Sequence, residues 1–265
     1  MNTDDVANWW STAIIEMEPG RIALRGHPIE SLIGEVGFVD MIWLMVQGTL
    51  PNPAQRTVLE AALVAAVDHG PQAPSIAAAR MSITCGIGLN NAMATGINLL
   101  GDIHGGAGQQ ALLLYRTIAE RIDSQGLLKA TQSGLAEYRS VHGPYIPGFG
   151  HRFHKPEDPR AKPLMAILRA QAEDPQIHAI YADIAETIQA ELSHGRAIGI
   201  AMNIDGATAA LYGALGVSPE LSRGLFCLSR SVGILAHAWE QKQQGGRNKG
   251  PTPPHYRWTY TGKTS

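Results

Sequence analysis

Residues 203–242 read NIDGATAALYGALGVSPELSRGLFCLSRSVGILAHAWEQK. A short polar turn, Asn203-Ile204-Asp205-Gly206, gives way to two helical runs, 207–215 and 219–242, with nothing extended between them. The pattern repeats towards the N-terminus. Helices are expected at 177–193, 160–172, 126–138, about 109–122, 90–100 and 53–67, and another runs from Ser75, as its cap, towards Cys85. Phe38–Gln47 is apolar at helical spacing and stops at Gly48 and Pro51. Only residues 12–25, which alternate around Pro19-Gly20, read as a hairpin. His27-Pro28 then reads as the start of a helix. Residues 142–160 form a loop rich in glycine, proline, histidine and arginine, and the tail from Gly245 is irregular. The class is therefore all-α, with one small hairpin near the start.

Composition narrows the function. The 265 residues carry a net charge of −2, which argues against a nucleic-acid surface. No apolar run reaches the roughly 18 residues of a spanning helix, and the acidic start lacks an apolar signal region. A cytoplasmic protein without a membrane partner is expected. Cys85 and Cys227 show neither metal-ligand spacing nor a disulfide framework, so both are expected as buried thiols in a reducing compartment. Neither a phosphate-binding loop nor a dinucleotide fingerprint occurs. His151 and His154 are three apart, but they sit in a loop and no further Cys/His pair completes a set. No metal is expected.

Three turns place a titratable group beside glycines at a helix end. They are His104-Gly105-Gly106-Ala107, Pro147-Gly148-Phe149-Gly150-His151-Arg152 and Asn203-Ile204-Asp205-Gly206. Glycine lets a backbone approach a ligand closely. A histidine at a helix N-terminus is biased towards its neutral form, and a neutral imidazole can donate a hydrogen bond to a developing enolate. An aspartate beside it could move a proton on carbon. Singly, each segment is as well explained as a turn or a cap, and spacing alone does not bring the three together.

In this order, however, the three segments resemble the citrate synthase family. Ser229-Arg230-Ser231-Val232-Gly233, Asp158-Pro159-Arg160 and the stretch from Arg25-Gly26-His27-Pro28-Ile29 to Leu50-Pro51 match its other motifs. The resemblance implies an all-α fold with a large lobe, 1–107 plus 213–265, and a small lobe, 108–212. It implies that His104 stabilises a thioester enol, that His151 handles the keto or hydroxyl oxygen, and that Asp205 moves the proton on the methyl carbon. Arg160, Arg230, Arg152 and His69 would bind the acid substrate. Lys155, Gly148 and Gly150 would meet coenzyme A. No permanent cofactor is implied; a coenzyme A thioester and a di- or tricarboxylate are the expected small-molecule partners, and a homodimer the expected assembly.

The sequence departs from the family in two places. One helix bridges Leu50-Pro51 and Asp68-His69, where full-length synthases carry a long insert. In the tail, His255 and Tyr256 occupy the family's Arg-Pro positions before Tyr260-Thr261-Gly262, leaving Arg247 and Arg257 as substitutes. The abridged chain is similar to citryl-CoA lyases, and cleavage of citryl-CoA to acetyl-CoA and oxaloacetate is the expected activity. The alternatives are a condensing enzyme of citrate or 2-methylcitrate synthase type, and a non-catalytic paralogue that binds coenzyme A.

Overall fold

The computed structural model describes residues 3–155, 157–248, 250, 252–253 and 255–263. Its helices are α1 (Thr3–Trp9), α2 (Phe38–Gln47), α3 (Pro53–Ala66), α4 (Pro74–Thr84), α5 (Leu89–Asn98), α6 (Ala107–Ala119), α7 (Ile122–Gln125), α8 (Leu127–His142), α9 (Ala161–Ala170), α10 (Ile180–Ser193), α11 (Ile204–Ala214) and α12 (Pro219–Gln243). The class is all-α. Among the described residues the one sheet has three short antiparallel strands in the order β1 (Ile15–Glu18), β2 (Arg21–Leu24) and β3 (His27–Pro28). The hairpin turns at Pro19-Gly20, where Gly20 takes φ +79°, a left-handed position that glycine accepts without steric penalty.

His27-Pro28 does not start a helix. Arg25 and Gly26 both take positive φ and turn the chain back, so that His27 and Pro28 pair with Leu24 and Ala23. Pro28 has ψ 133°, an extended value, and only a 3₁₀ turn, Ile29–Ser31, follows.

α11 is the centre of the molecule. Every one of its residues is buried except Asp205. A helix that is apolar all round must be surrounded, and its alanines and glycines admit neighbours at short range. A Cβ on Gly213 would strike the Tyr181 ring of α10, and one on Gly206 would strike the backbone of Gly148. Around α11 lies the main core: Val58, Leu59 and Leu63 of α3, Leu112, Tyr115 and Ile118 of α6, Leu168 of α9, and Ile184 and Ile188 of α10. α3 reaches it with a face at 54, 58, 59, 62, 63 and 66, the spacing of an amphipathic helix. Asn52 and Gln55 cap that helix reciprocally, with Pro53 in its first turn. A second cluster joins Ala73, Ile76 and Ala79 with Leu100 and Ile234. It packs α4 and the end of α5 on α12, with Cys227 half-buried against it, whereas Cys85, expected to be buried, is exposed at the end of α4.

Candidate active site

α12 secures the end of α3, and that contact sets the first wall of the site. The last carbonyls of a helix have no partner within it. Here Ser229 Oγ donates to the Leu63 carbonyl at 2.5 Å, Arg230 Nε to the Ala66 carbonyl at 2.9 Å, and Gly233 N–H to the Val67 carbonyl at 3.1 Å. A cation at a helix C-terminus is also favoured by the helix dipole. Arg230 is 3% exposed, its guanidinium stacked 4.8 Å over the Phe226 ring. Burial lowers its pKa, yet from an ordinary value above 12 an arginine remains charged. The chain leaving α3 then presents His69, held by the Asp68 carboxylate accepting from the Gly70 N–H.

His104 stands opposite, in the turn before α6. Its neutral state is set by another helix. Ser75 does not cap α4, because Ala73 holds the cap position. Instead the Ser75 N–H, in the first turn, donates to His104 Nε2 at 3.2 Å, with the Ser75 hydroxyl 2.9 Å from the same nitrogen. An amide N–H can only donate, so Nε2 accepts and the ring proton resides on Nδ1. Burial and then the charge of Arg230 lower the His104 pKa.

His151 is arranged in reverse. No helix starts beside it along the chain; the next, α9, begins at Ala161. Its Nδ1 accepts from the N–H groups of Phe153 and His154, at 3.1 and 3.0 Å, which places the proton of the neutral ring on Nε2. Burial, His154 and Arg160 lower its pKa, against an opposing pull from Asp158. His69, His104, His151 and Arg152 line one cavity of about 600 Å³ with Gly70–Pro74.

Backbone contacts fix the His151 loop to the start of α11. The Gly150 N–H donates to the Ala201 carbonyl, the Asn203 N–H to the Gly148 carbonyl, and the Asn203 side-chain amide to the Gly150 carbonyl. Asn203 Oδ1 in turn caps α11 by accepting from the N–H of Asp205 and of Gly206. One asparagine thus registers the histidine loop against the aspartate. Gly148 makes its close approach to Gly206, whereas a Cβ on Gly150 would meet nothing. Asp205 lies outside the larger cavity and lines a smaller one with Gly105, Gly108 and Tyr212. Its pKa is raised, chiefly by burial, against the pull of Arg230 and Arg160.

The two arginines knit the group together. Arg230 acts on His69, His104 and Asp205; Arg160 acts on His69, His151 and Asp205. Arg160 is locked by Asp158, which it grips through Nε at 2.9 Å and NH2 at 2.8 Å. Burial alone would raise the Asp158 pKa, but the Arg160 hydrogen bonds outweigh it and hold the carboxylate low. His151, His154 and Asp158 come within 4.8 Å of one another, the spacing of a cation site. Both Asp158 oxygens are engaged by Arg160, however, and His151 Nδ1 by two amides, so within the cluster it is Asp158 that supports Arg160. Lys155 is exposed in the same loop and does not line the cavity. Ser75 and Asn203 position the two catalytic candidates of the first and third turns, and neither was assigned that role from sequence. The only trace of Asn203 was its place before Ile204-Asp205.

The model of the citrate synthase C-terminal domain matches residues 51–252. The chain belongs to the citrate synthase family. It is 30% identical over 220 residues to a protein named citrate synthase from Haloferax volcanii, covering 81% of this chain and 53% of that one. Against a citrate synthase from Acidithiobacillus ferridurans it is 28% identical, covering 83% and 54%. The chain spans about half the length of these curated family members. Among solved structures, the citryl-CoA lyase from Hydrogenobacter thermophilus superposes with a TM-score of 0.83 at 31% identity, covering 97% of this chain and 96% of that one. The ATP citrate lyase of Methanosaeta concilii, at 19% identity and a TM-score of 0.77 over 99% of this chain and 45% of the other, shares the citrate synthase fold.

Proposed function

We propose that this protein is a citryl-CoA lyase. The observation that carries the reading is the end-to-end match, at 31% identity, to a structure of that name, combined with a group of residues in which the imidazoles of His104 and His151, both with lowered pKa values, and the half-buried Asp205 carboxyl each feel the charge of Arg230, Arg160 or both. Arg230 and Arg160, with Arg152 and His69 at the cavity wall, bind the carboxylates of the citryl group. The carbon–carbon bond of citryl-CoA breaks as the hydroxyl oxygen loses its proton at His151 and becomes the keto oxygen of oxaloacetate. The bonding electrons form the enolate of acetyl-CoA, whose oxygen receives the His104 Nδ1–H hydrogen bond. Asp205 delivers a proton to the enol carbon. Its raised pKa suits a group that must be protonated for that step. Coenzyme A would lie along the exposed loop that carries Gly148, Gly150 and Lys155. Helices α6 to α11 would act as a small lobe, residues 108–212, closing on the large one, and two copies would form a homodimer.

A specific observation favours a second reading, condensation. With Nδ1 accepting two amides, His151 carries its proton on Nε2, ready to donate to a keto oxygen. In cleavage it must first have a bare Nε2. A time course with citryl-CoA separates the two. A lyase releases acetyl-CoA and oxaloacetate with little free coenzyme A; a hydrolysing synthase releases citrate and free coenzyme A. Neither product would overturn both readings.

A further inference from the structure

His69 stands at the wall of the large cavity, and the charges that act on it are those of the site: Arg230, Arg160, His151 and His104. It belongs to the irregular connection between α3 and α4, so no helix fixes the direction of its ring. The fixing comes from α12. Arg230, Gly233 and His237 share one face of that helix, at the i, i+3, i+7 spacing of a single stripe. They meet three consecutive residues, 66 to 68. Arg230 Nε donates to the Ala66 carbonyl at 2.9 Å, the Gly233 N–H donates to the Val67 carbonyl at 3.1 Å, and His237 Nε2 lies 3.1 Å from Asp68 Oδ1. The Asp68 carboxylate is seated on the helix so closely that a Cβ on Gly233 would strike Oδ1. Its other oxygen, Oδ2, accepts from the Gly70 N–H at 2.9 Å. One carboxylate thus spans His69, with Oδ2 on the turn and Oδ1 at His237.

His237 is itself held. Arg80 of α4 places Nη1 3.3 Å from His237 Nδ1. Its other bonds, to the Glu240 carboxylate at 2.8 Å and the Gln244 side-chain carbonyl at 3.1 Å, return to α12 and its cap. A guanidinium can only donate, so Nδ1 accepts and the proton of the neutral ring resides on Nε2, the nitrogen that faces Asp68. Glu240 lies on the Nδ1 side, 4.0 Å away, and is already engaged by Arg80. The Arg80 and His237 side chains are each 20% exposed, so water competes little for these contacts.

We infer that His237 is a positioning residue for His69: with its Nε2–H turned to Asp68 by Arg80, it holds that carboxylate and so fixes the 68–70 turn that presents His69 to the acid substrate. His237 does not line the cavity and acts only through Asp68. α4 thus orders two histidines by one means, a donor that can only donate: the Ser75 N–H for His104 and the Arg80 guanidinium for His237.

What His69 does to the acid rests on the function proposed above, but the geometry of the turn does not, and two measurements on the full chain separate them. The first is the Gly70 amide in ¹H–¹⁵N spectra. In His237→Leu, which removes the donor to Asp68, this resonance is expected to shift and its exchange to quicken. In His237→Gln, whose amide keeps a donor for Asp68 and an acceptor for Arg80, it stays near its wild-type position. The second is calorimetric titration with oxaloacetate beside turnover of citryl-CoA. His237→Leu should bind oxaloacetate about tenfold more weakly and raise KM by a similar factor, with kcat within about threefold. His237→Gln should stay within about twofold of wild type. The double variant His69→Ala/His237→Leu should bind no more weakly than His69→Ala alone, because the effect passes through that ring. An unmoved Gly70 amide or wild-type affinity in His237→Leu, a His237→Gln as impaired as His237→Leu, or losses at 69 and 237 that add in full would overturn the inference. A protein that neither binds oxaloacetate nor turns over citryl-CoA, with the Gly70 amide shifted in His237→Leu and kept in His237→Gln, would overturn the function and leave the hold of His237 on the turn standing. Should His237→Leu fail to fold, Asp68→Ala takes its place with the same losses expected, and wild-type affinity in that variant would overturn the inference.

Discussion

Asp205 and the two cleft histidines carry charge-state commitments that can be read directly. Asp205 is the one residue of α11 that is not fully buried, and its pKa lies above the ordinary carboxyl value. The native state therefore binds that proton more tightly than the unfolded chain, and Asp205 opposes folding once the pH exceeds its folded pKa. Asp205→Asn removes the opposition. Its melting temperature should exceed the wild type's by a few degrees at pH 7–8, with the gap closing towards pH 4, while turnover falls by about 10³-fold. Scanning calorimetry across that pH range checks the first part, and a variant no more stable than wild type at neutral pH would contradict it. The histidines shift the other way, down, so the stability they contribute is present above about pH 6.5 and declines as the pH falls below it towards their folded pKa values. Their hydrogen bonds also assign opposite tautomers, Nδ1–H for His104 and Nε2–H for His151. Side-chain ¹⁵N spectra at pH 7 should show both rings neutral with the protonated nitrogens exchanged between them; the same tautomer in both would contradict the hydrogen bonds of Ser75 to His104 or of Phe153 and His154 to His151.

At the scale of elements, the site depends on backbone meeting backbone. Gly148 and Gly206 lie so close that a Cβ on either strikes the other's main chain, and the contact holds the His151 loop on the first turn of α11. Gly206→Ala should destabilise by about 2–4 kcal/mol, as overpacking against an unyielding backbone does, and should lower turnover by more than its effect on stability explains. Gly150→Ala meets open space and bears only the strain of its φ of +83°, about 1–2 kcal/mol. Urea midpoints of the two variants in the reverse order would refute the distinction. These contacts also show what a sequence can convey. Helical periodicity located α2, α3 and α12 to within a residue or two, since each buries one face. The short helices α1 and α7 escaped, being too brief to show a period, and His27-Pro28 misled because proline suits a strand edge as well as a first helical turn. The glycine-flanked turns were visible, but only as turns. That Ser75 would neutralise His104, or Asn203 tie two loops together, follows from contacts 29 and 53 residues apart in the chain, for which local pattern holds no signal.

In the whole molecule the cleft joins two cores. The His69 wall runs into Ala73 and Ile76, which pack with Ile234, whereas the His151 loop leans through Phe149 and Met202 on the large cluster around α11. A ligand touching both walls fastens one core to the other, and a ligand that binds only the native state stabilises it by RT ln(1 + [L]/Kd), about 2.7 kcal/mol at a hundredfold excess over Kd. On the proposed function, citryl-CoA would offer carboxylates to the arginines as well as a thioester to His104, and acetyl-CoA the thioester alone. In Asp205→Asn, which would bind citryl-CoA without completing turnover, citryl-CoA should therefore raise the melting temperature well above acetyl-CoA at matched concentration, and Arg230→Met should abolish most of the difference. The comparison isolates the carboxylate pocket, because both ligands share the coenzyme A portion and its contacts cancel. Equal stabilisation by the two thioesters would mean that Arg160 and Arg230 serve the fold and not the substrate. In that case the end of α3, which Arg230 already satisfies through the Ala66 carbonyl, would be the whole reason for a buried arginine there.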